Sequence, residues 1–183
     1  MILELRPEWG SENPDHRRKI RDYLAQRFEA QAVHDLGDLS RLPELRDGFV
    51  SVSHCRGLGG FLVSPAWSGF DVELTDRVTP ELAARIGDME EFAQAPDPAA
   101  LWCAKESAFK ALRFARPPKV IMDLKILWLS DYLFALANGE EFGAESGQGW
   151  IERRGPHTLA GFHTSALNKT RAQAYSEHAH GTV

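Results

Sequence analysis

The chain has 183 residues, 43% of them hydrophobic, with a formal net charge of −5. That length and apolar content suit one domain or two small lobes and exclude a disordered chain. The negative charge argues against a general nucleic-acid binder, which is usually basic.

The N-terminal run Met1-Ile2-Leu3-Glu4-Leu5-Arg6 lacks the apolar core of a signal peptide. No apolar stretch nears the roughly 18 residues of a membrane span. The two cysteines, Cys55 and Cys103, form neither a disulfide framework nor a zinc spacing. A soluble, cytoplasmic protein without nucleic-acid or membrane partners is therefore expected.

Asn13-Pro14 reads as a helix cap followed by proline, and predicts a helix through Ile20, Leu24 and Phe28 toward Val33. Arg17, Arg18, Lys19 and Arg21 give it a basic side, read as a solvated face. Residues 49–54 alternate apolar and polar as a strand does; Gly57, Gly59 and Gly60 mark a turn, and residues 61–63 read as the returning strand. Residues 70–74 form a third strand, so a three-stranded meander is expected. Thr79-Pro80 starts a short helix ending near Gly87. Asp97-Pro98 starts a longer one through Leu112, which Pro117-Pro118 stops. Residues 120–128, 132–137, 149–153 and 158–163 are further strand candidates. The order predicts an α+β fold with antiparallel strands packed on helices.

Two stretches carry chemistry. In Gly69-Phe70-Asp71-Val72-Glu73, the two carboxylates sit two apart on a strand and share a face. In Trp102-Cys103-Ala104-Lys105-Glu106-Ser107-Ala108-Phe109-Lys110, Glu106 and Lys110 sit four apart on a helix and also share a face. Alone, each pair would be ordinary surface charge. Packed together, they place carboxylates beside a lysine, an arrangement that can hold a hard divalent cation and a phosphate at once.

These residues resemble the 4'-phosphopantetheinyl transferase superfamily. Its pattern is a Gly-x-Asp-x-Glu strand followed by a Trp-x-x-Lys-Glu-x-x-x-Lys helix, with a Ser-His-Ser strand end before both. Here these are Gly69 to Glu73, then Trp102, Lys105, Glu106 and Lys110, and, before them, Ser53-His54-Cys55. The match covers roughly residues 49 to 112. The order is more similar to the tandem-lobed, surfactin-synthetase-type class than to the short holo-acyl-carrier-protein synthases. The resemblance implies two pseudo-symmetric α+β lobes: a shortened first lobe over 1–65, a second over 66–166 with the metal site, and a polar tail over 167–183.

It also implies transfer of 4'-phosphopantetheine from coenzyme A to a serine of an apo acyl- or peptidyl-carrier protein. Asp71, Glu73 and Glu106 would be ligands of Mg2+. Glu106 would be the general base, and Lys110 would stabilise the leaving phosphate. His54, Lys105, Lys110, Ser53 and Arg27 would contact coenzyme A. Two lobes already make the site, so a monomer is implied. The family's Gly-Lys-Pro before the Ser-His strand is replaced here by Leu42-Pro43-Glu44-Leu45-Arg46, and Cys55 stands for the second serine. The alternative is a catalytically inactive member that binds coenzyme A or a carrier protein.

Overall fold

The computed structural model describes residues 1–113, 117–144 and 147–164. The polar tail expected over residues 167–183 lies outside them. The first strand, β1 (Ile2–Arg6), precedes helix α1 (His16–Phe28) and a two-residue strand β2 (Glu44–Leu45). Strands β3 (Gly48–Cys55) and β4 (Leu58–Ser64) follow as a hairpin. Its loop is Arg56-Gly57, where Gly57 at φ 81° adopts the left-handed turn that a side chain disfavours. Then come β5 (Ser68–Leu74), α2 (Pro80–Ala83), α3 (Met89–Gln94) and α4 (Pro98–Leu112). Strands β6 (Ile126–Ser130), β7 (Leu133–Leu136), β8 (Gln148–Arg154) and β9 (His157–His163) complete the described chain.

The fold is α+β, as expected, with two antiparallel sheets. One is four-stranded in the order β1-β4-β3-β2, and the other five-stranded in the order β5-β9-β8-β7-β6. Ile20, Leu24 and Phe28 of α1 pack with Val50 and Phe61 on one face of the first sheet. The opposite face meets the second sheet through Leu62, Phe70, Val72 and Leu159. Leu101, Ala104, Ala108 and Leu112 of α4 then cover the far side of the second sheet, against Phe134 and Phe162. The layers run helix, sheet, sheet, helix, each burying one apolar stripe.

The expected three-stranded meander is corrected. The β3–β4 hairpin is there, but β5 leaves that sheet and pairs with β9, with Asp71 opposite Ala160 and Glu73 opposite Thr158. Phe70 and Val72 fill the space between the sheets, while the helix lies over the other side of the strand. Gly69 makes this possible, because a Cβ there would lie 2.7 Å from the Ala111 nitrogen in α4. Two side-chain contacts still tie β5 to β3: Ser51 Oγ accepts from the Phe70 amide at 2.9 Å, and Ser53 Oγ donates to Asp71 Oδ1.

Other boundaries shift. The first helix ends at Phe28, short of Val33, and continues as a 3₁₀ turn over Glu29–Gln31. Helix α3 was not expected; Asp88 and Glu91 form a capping box at its start. Asp97 caps α4 by accepting from the Ala100 amide at 3.0 Å, with Pro98 in its first turn. Among the described residues, no helix is long and apolar enough to cross a membrane.

Candidate functional site

Period-two alternation along β3 turns Ser51 and Ser53 toward β5, and Val50, Val52 and His54 toward α1. Alternation along β5 turns Asp71 toward α4. Lys110, on the last turn of α4, reaches the same place. Three elements therefore meet on one carboxylate. Lys110 Nζ donates to Asp71 Oδ1 at 2.6 Å and to Ser53 Oγ and the Phe70 carbonyl, both at 3.2 Å. Ser53 Oγ donates to Asp71 Oδ1 at 2.8 Å. Asp71 is 4% exposed, and its Oδ2 is buried with no hydrogen-bond partner among the described residues.

Glu73 and Glu106 flank this contact, both partly buried. Glu73 accepts from Arg77 Nη1 at 3.3 Å. Burial pushes the Glu73 carboxyl above its ordinary value; the Asp71 charge adds to this, and Arg77 opposes it. Burial also raises Glu106, with Lys110 opposing and Asp71 reinforcing. Glu73 thus senses the charges of Asp71 and Glu106, and Glu106 senses that of Asp71.

The same three residues were expected to hold Mg2+. Among the described residues, no group of three or more His, Cys, Asp or Glu is arranged to hold a metal ion. The donor chemistry nevertheless suits a hard cation. Asp71 Oδ2 accepts no hydrogen bond among the described residues, and Mg2+ is commonly held by one or two carboxylates plus waters and substrate phosphates rather than by a closed protein cage.

His54 lies on the opposite face of β3 from Ser53. Its Nε2 stands 3.3 Å from His16 Nε2, with the two rings edge to face. Burial lowers the His54 pKa to about 4, aided by the positive surroundings of His16, Arg17 and Lys110. His54 lines a cleft of about 250 Å³ with Arg17, Arg21, Val52 and residues 39–43. Arg21 is committed to the loop there, donating to the carbonyls of Leu36, Asp38 and Arg41. Arg17 is exposed and Arg41 makes a 3.6 Å ion pair with Asp38; with Arg21, three arginines line this cleft.

Two of the residues expected to contact coenzyme A lie apart from the others. Lys105 does not join Lys110. It is 0% exposed and donates to Glu91 Oε2 at 2.9 Å and to the Leu124 carbonyl at 2.7 Å. Residues 101, 104, 105, 108, 111 and 112 form the buried stripe of α4, and Lys105 lies within it. A buried ammonium needs a counter-charge, and Glu91 supplies one. Arg27 is also elsewhere: it is exposed, bonded to Glu4 and Tyr23, and outside the lining of the His54 cleft.

His16 and Arg41 were not singled out from sequence. His16 lies 38 residues from His54, and no local pattern connects them. Arg17 was read as solvated surface; only the fold of residues 36–43 over α1 turns that helix end into a cleft wall. Both cysteines are buried, and burial pushes the Cys55 thiol up to about 12, so neither is poised as a nucleophile.

No family model matches the chain, and no curated protein matches it. Among solved structures, the Helicobacter pylori holo-[acyl-carrier-protein] synthase in complex with coenzyme A is similar in fold at 17% sequence identity. The match covers 54% of this chain and 99% of that chain, with a TM-score of 0.43.

Proposed function

We propose that this chain is a phosphopantetheinyl transferase that moves 4'-phosphopantetheine from coenzyme A to a serine hydroxyl of an apo acyl- or peptidyl-carrier protein. The observation that carries this reading is the convergence of Ser53, Asp71 and Lys110 in direct contact, with Glu106 one turn before Lys110. These are residues of the sequence pattern, drawn from three separate elements.

Lys110 binds the pyrophosphate and stabilises charge on the oxygen that departs with adenosine 3',5'-bisphosphate. Glu106 takes the proton from the attacking serine hydroxyl. Its raised pKa makes the carboxylate a stronger base than an exposed glutamate. The serine oxygen forms a bond to the phosphorus of the pantetheine side, and the bond from that phosphorus to the bridging oxygen breaks. Asp71, with Glu73 and Glu106, would hold Mg2+, which supplies neutralisation of the pyrophosphate when bound. His54, Arg17 and Arg41 bind the adenosine phosphate end of coenzyme A in the cleft on α1. The first lobe is residues 1–65, the second 66–166, and the chain acts as a monomer in the cytoplasm.

A second reading has its own support. The Gly-Lys-Pro lysine is absent, and Lys105 is spent on Glu91, so two cationic groups of the family pattern do not reach the cofactor. A protein that binds coenzyme A or docks a carrier without transfer fits those facts. Incubation with coenzyme A, Mg2+ and a panel of apo carrier proteins separates the readings. A mass gain of one phosphopantetheine on a carrier supports transfer. Coenzyme A binding by calorimetry without any mass gain supports the second reading.

A further inference from the structure

Lys110 is the cation that pairs with Asp71 in this structure. Its ammonium is 2.6 Å from Asp71 Oδ1, and it also donates to Ser53 Oγ and the Phe70 carbonyl. A buried carboxylate requires a counter-charge, and Lys110 forms its ion pair. A divalent cation on the buried Oδ2 would share that one carboxylate with an ammonium. Like charges that close, in a partly dry site, repel strongly. Lys110 is free to move away. Its side chain is 23% exposed, on a flexible four-carbon stem at the end of its helix.

We infer that Lys110 is the resident counter-cation of Asp71 in the ligand-free protein, and that a divalent cation takes Asp71 only as Lys110 leaves it for a phosphate-bearing ligand. This rests on the functional reading above. The ligand draws the ammonium off Asp71 and opens the carboxylate. The metal, by displacing the ammonium, frees it for the phosphate. Each therefore tightens the binding of the other, and linkage makes the two effects equal. Ser53 guides the exchange, because its hydroxyl touches both Asp71 and Lys110.

The test titrates Mn2+ into the full chain and counts free ion by electron paramagnetic resonance. Ligand-free Lys110→Met is expected to bind Mn2+ about tenfold or more tightly than wild type. Lys110→Arg, which keeps the charge, is expected to match wild type. Coenzyme A is expected to tighten Mn2+ on wild type more than on Lys110→Met. If Lys110→Met does not fold, Lys110→Gln removes the charge while still offering donors to Ser53 and Phe70. Equal or weaker Mn2+ binding by the neutral variants, with coenzyme A still enhancing wild type, would overturn the counter-cation role and leave the functional reading standing. Failure of every protein to bind either Mn2+ or coenzyme A would overturn both.

Discussion

Lys105 and Glu91 form an ion pair sealed inside the protein, 2.9 Å apart, with the lysine 0% and the glutamate 5% exposed. Glu91 does more than pair. Its Oε1 accepts from the Ile126 amide at 2.7 Å, and its Oε2 also accepts from the Asp88 amide at 3.1 Å. One carboxylate thus joins α3, α4 and the start of β6. Removing one partner of a buried pair leaves an uncompensated charge, which typically costs about 3–5 kcal/mol. Lys105→Met should lower the unfolding free energy by about that amount in urea titrations. Coenzyme A affinity per folded molecule should stay unchanged. A selective loss of affinity with stability intact would instead put Lys105 at the cofactor.

Glu106→Gln should separate binding from chemistry. The variant keeps the size of the side chain but cannot accept the serine proton. Coenzyme A binding measured by calorimetry should persist, while single-turnover transfer should fall by about 10²–10⁴-fold. The wild-type rate should rise with pH above the ordinary glutamate value, because the folded-state pKa is raised and only the ionised form is a base. Transfer at the wild-type rate by Glu106→Gln would remove it from the role of base.

Gly69→Ala should strike fold and site together. The added methyl would press against the backbone of α4 at Ser107 and Ala111, and rigid backbone does not yield as a side-chain tip does. Overpacking of this kind costs about 1–3 kcal/mol or more. The helix would move off β5, taking Glu106 and Lys110 away from Asp71. Thermal melts should show the loss, and transfer should fall more than the folded fraction does. A variant as stable and active as wild type would mean that α4 does not depend on this close approach.

His54 should make stability depend on acid. Its pKa is about 4 in the folded state against 6.5 for the free side chain, so the unfolded chain binds the proton more readily. The stabilising effect is complete above 6.5 and is lost as pH falls from 6.5 toward 4. Urea unfolding at several pH values across that window should show the decline. His54→Gln should flatten it relative to wild type. An unchanged slope would assign the decline to other groups.

Asp71 with Glu73, and Glu106 with Lys110, were legible because strand and helix periods act locally: spacings of two and four set each pair on one face. The α+β class followed from the same periodicity. The exit of β5 from the first sheet was not legible. It depends on which partner covers Phe70 and Val72, a choice made by packing across nearly ninety residues of chain, down to the pairing with β9. Lys105 is instructive in another way. The motif suggested a ligand contact, yet the helical stripe of Leu101, Ala104, Ala108 and Leu112 already pointed it inward. His16 and Arg41 carried no signal, because a tertiary approach alone brings them beside His54.

The strand that bears the carboxylates is also the seam between the two sheets. Ser53 comes from one sheet, Asp71 from the other, and Lys110 from the helix behind the second. A fragment cut at Pro65 would separate Ser53 from Asp71, so neither half would retain the full contact set. The two sheets therefore cannot part without dismantling the cation contact. Amides around Phe70 to Val72 should be among the last to exchange with solvent, since opening there requires cooperative unfolding of the whole molecule.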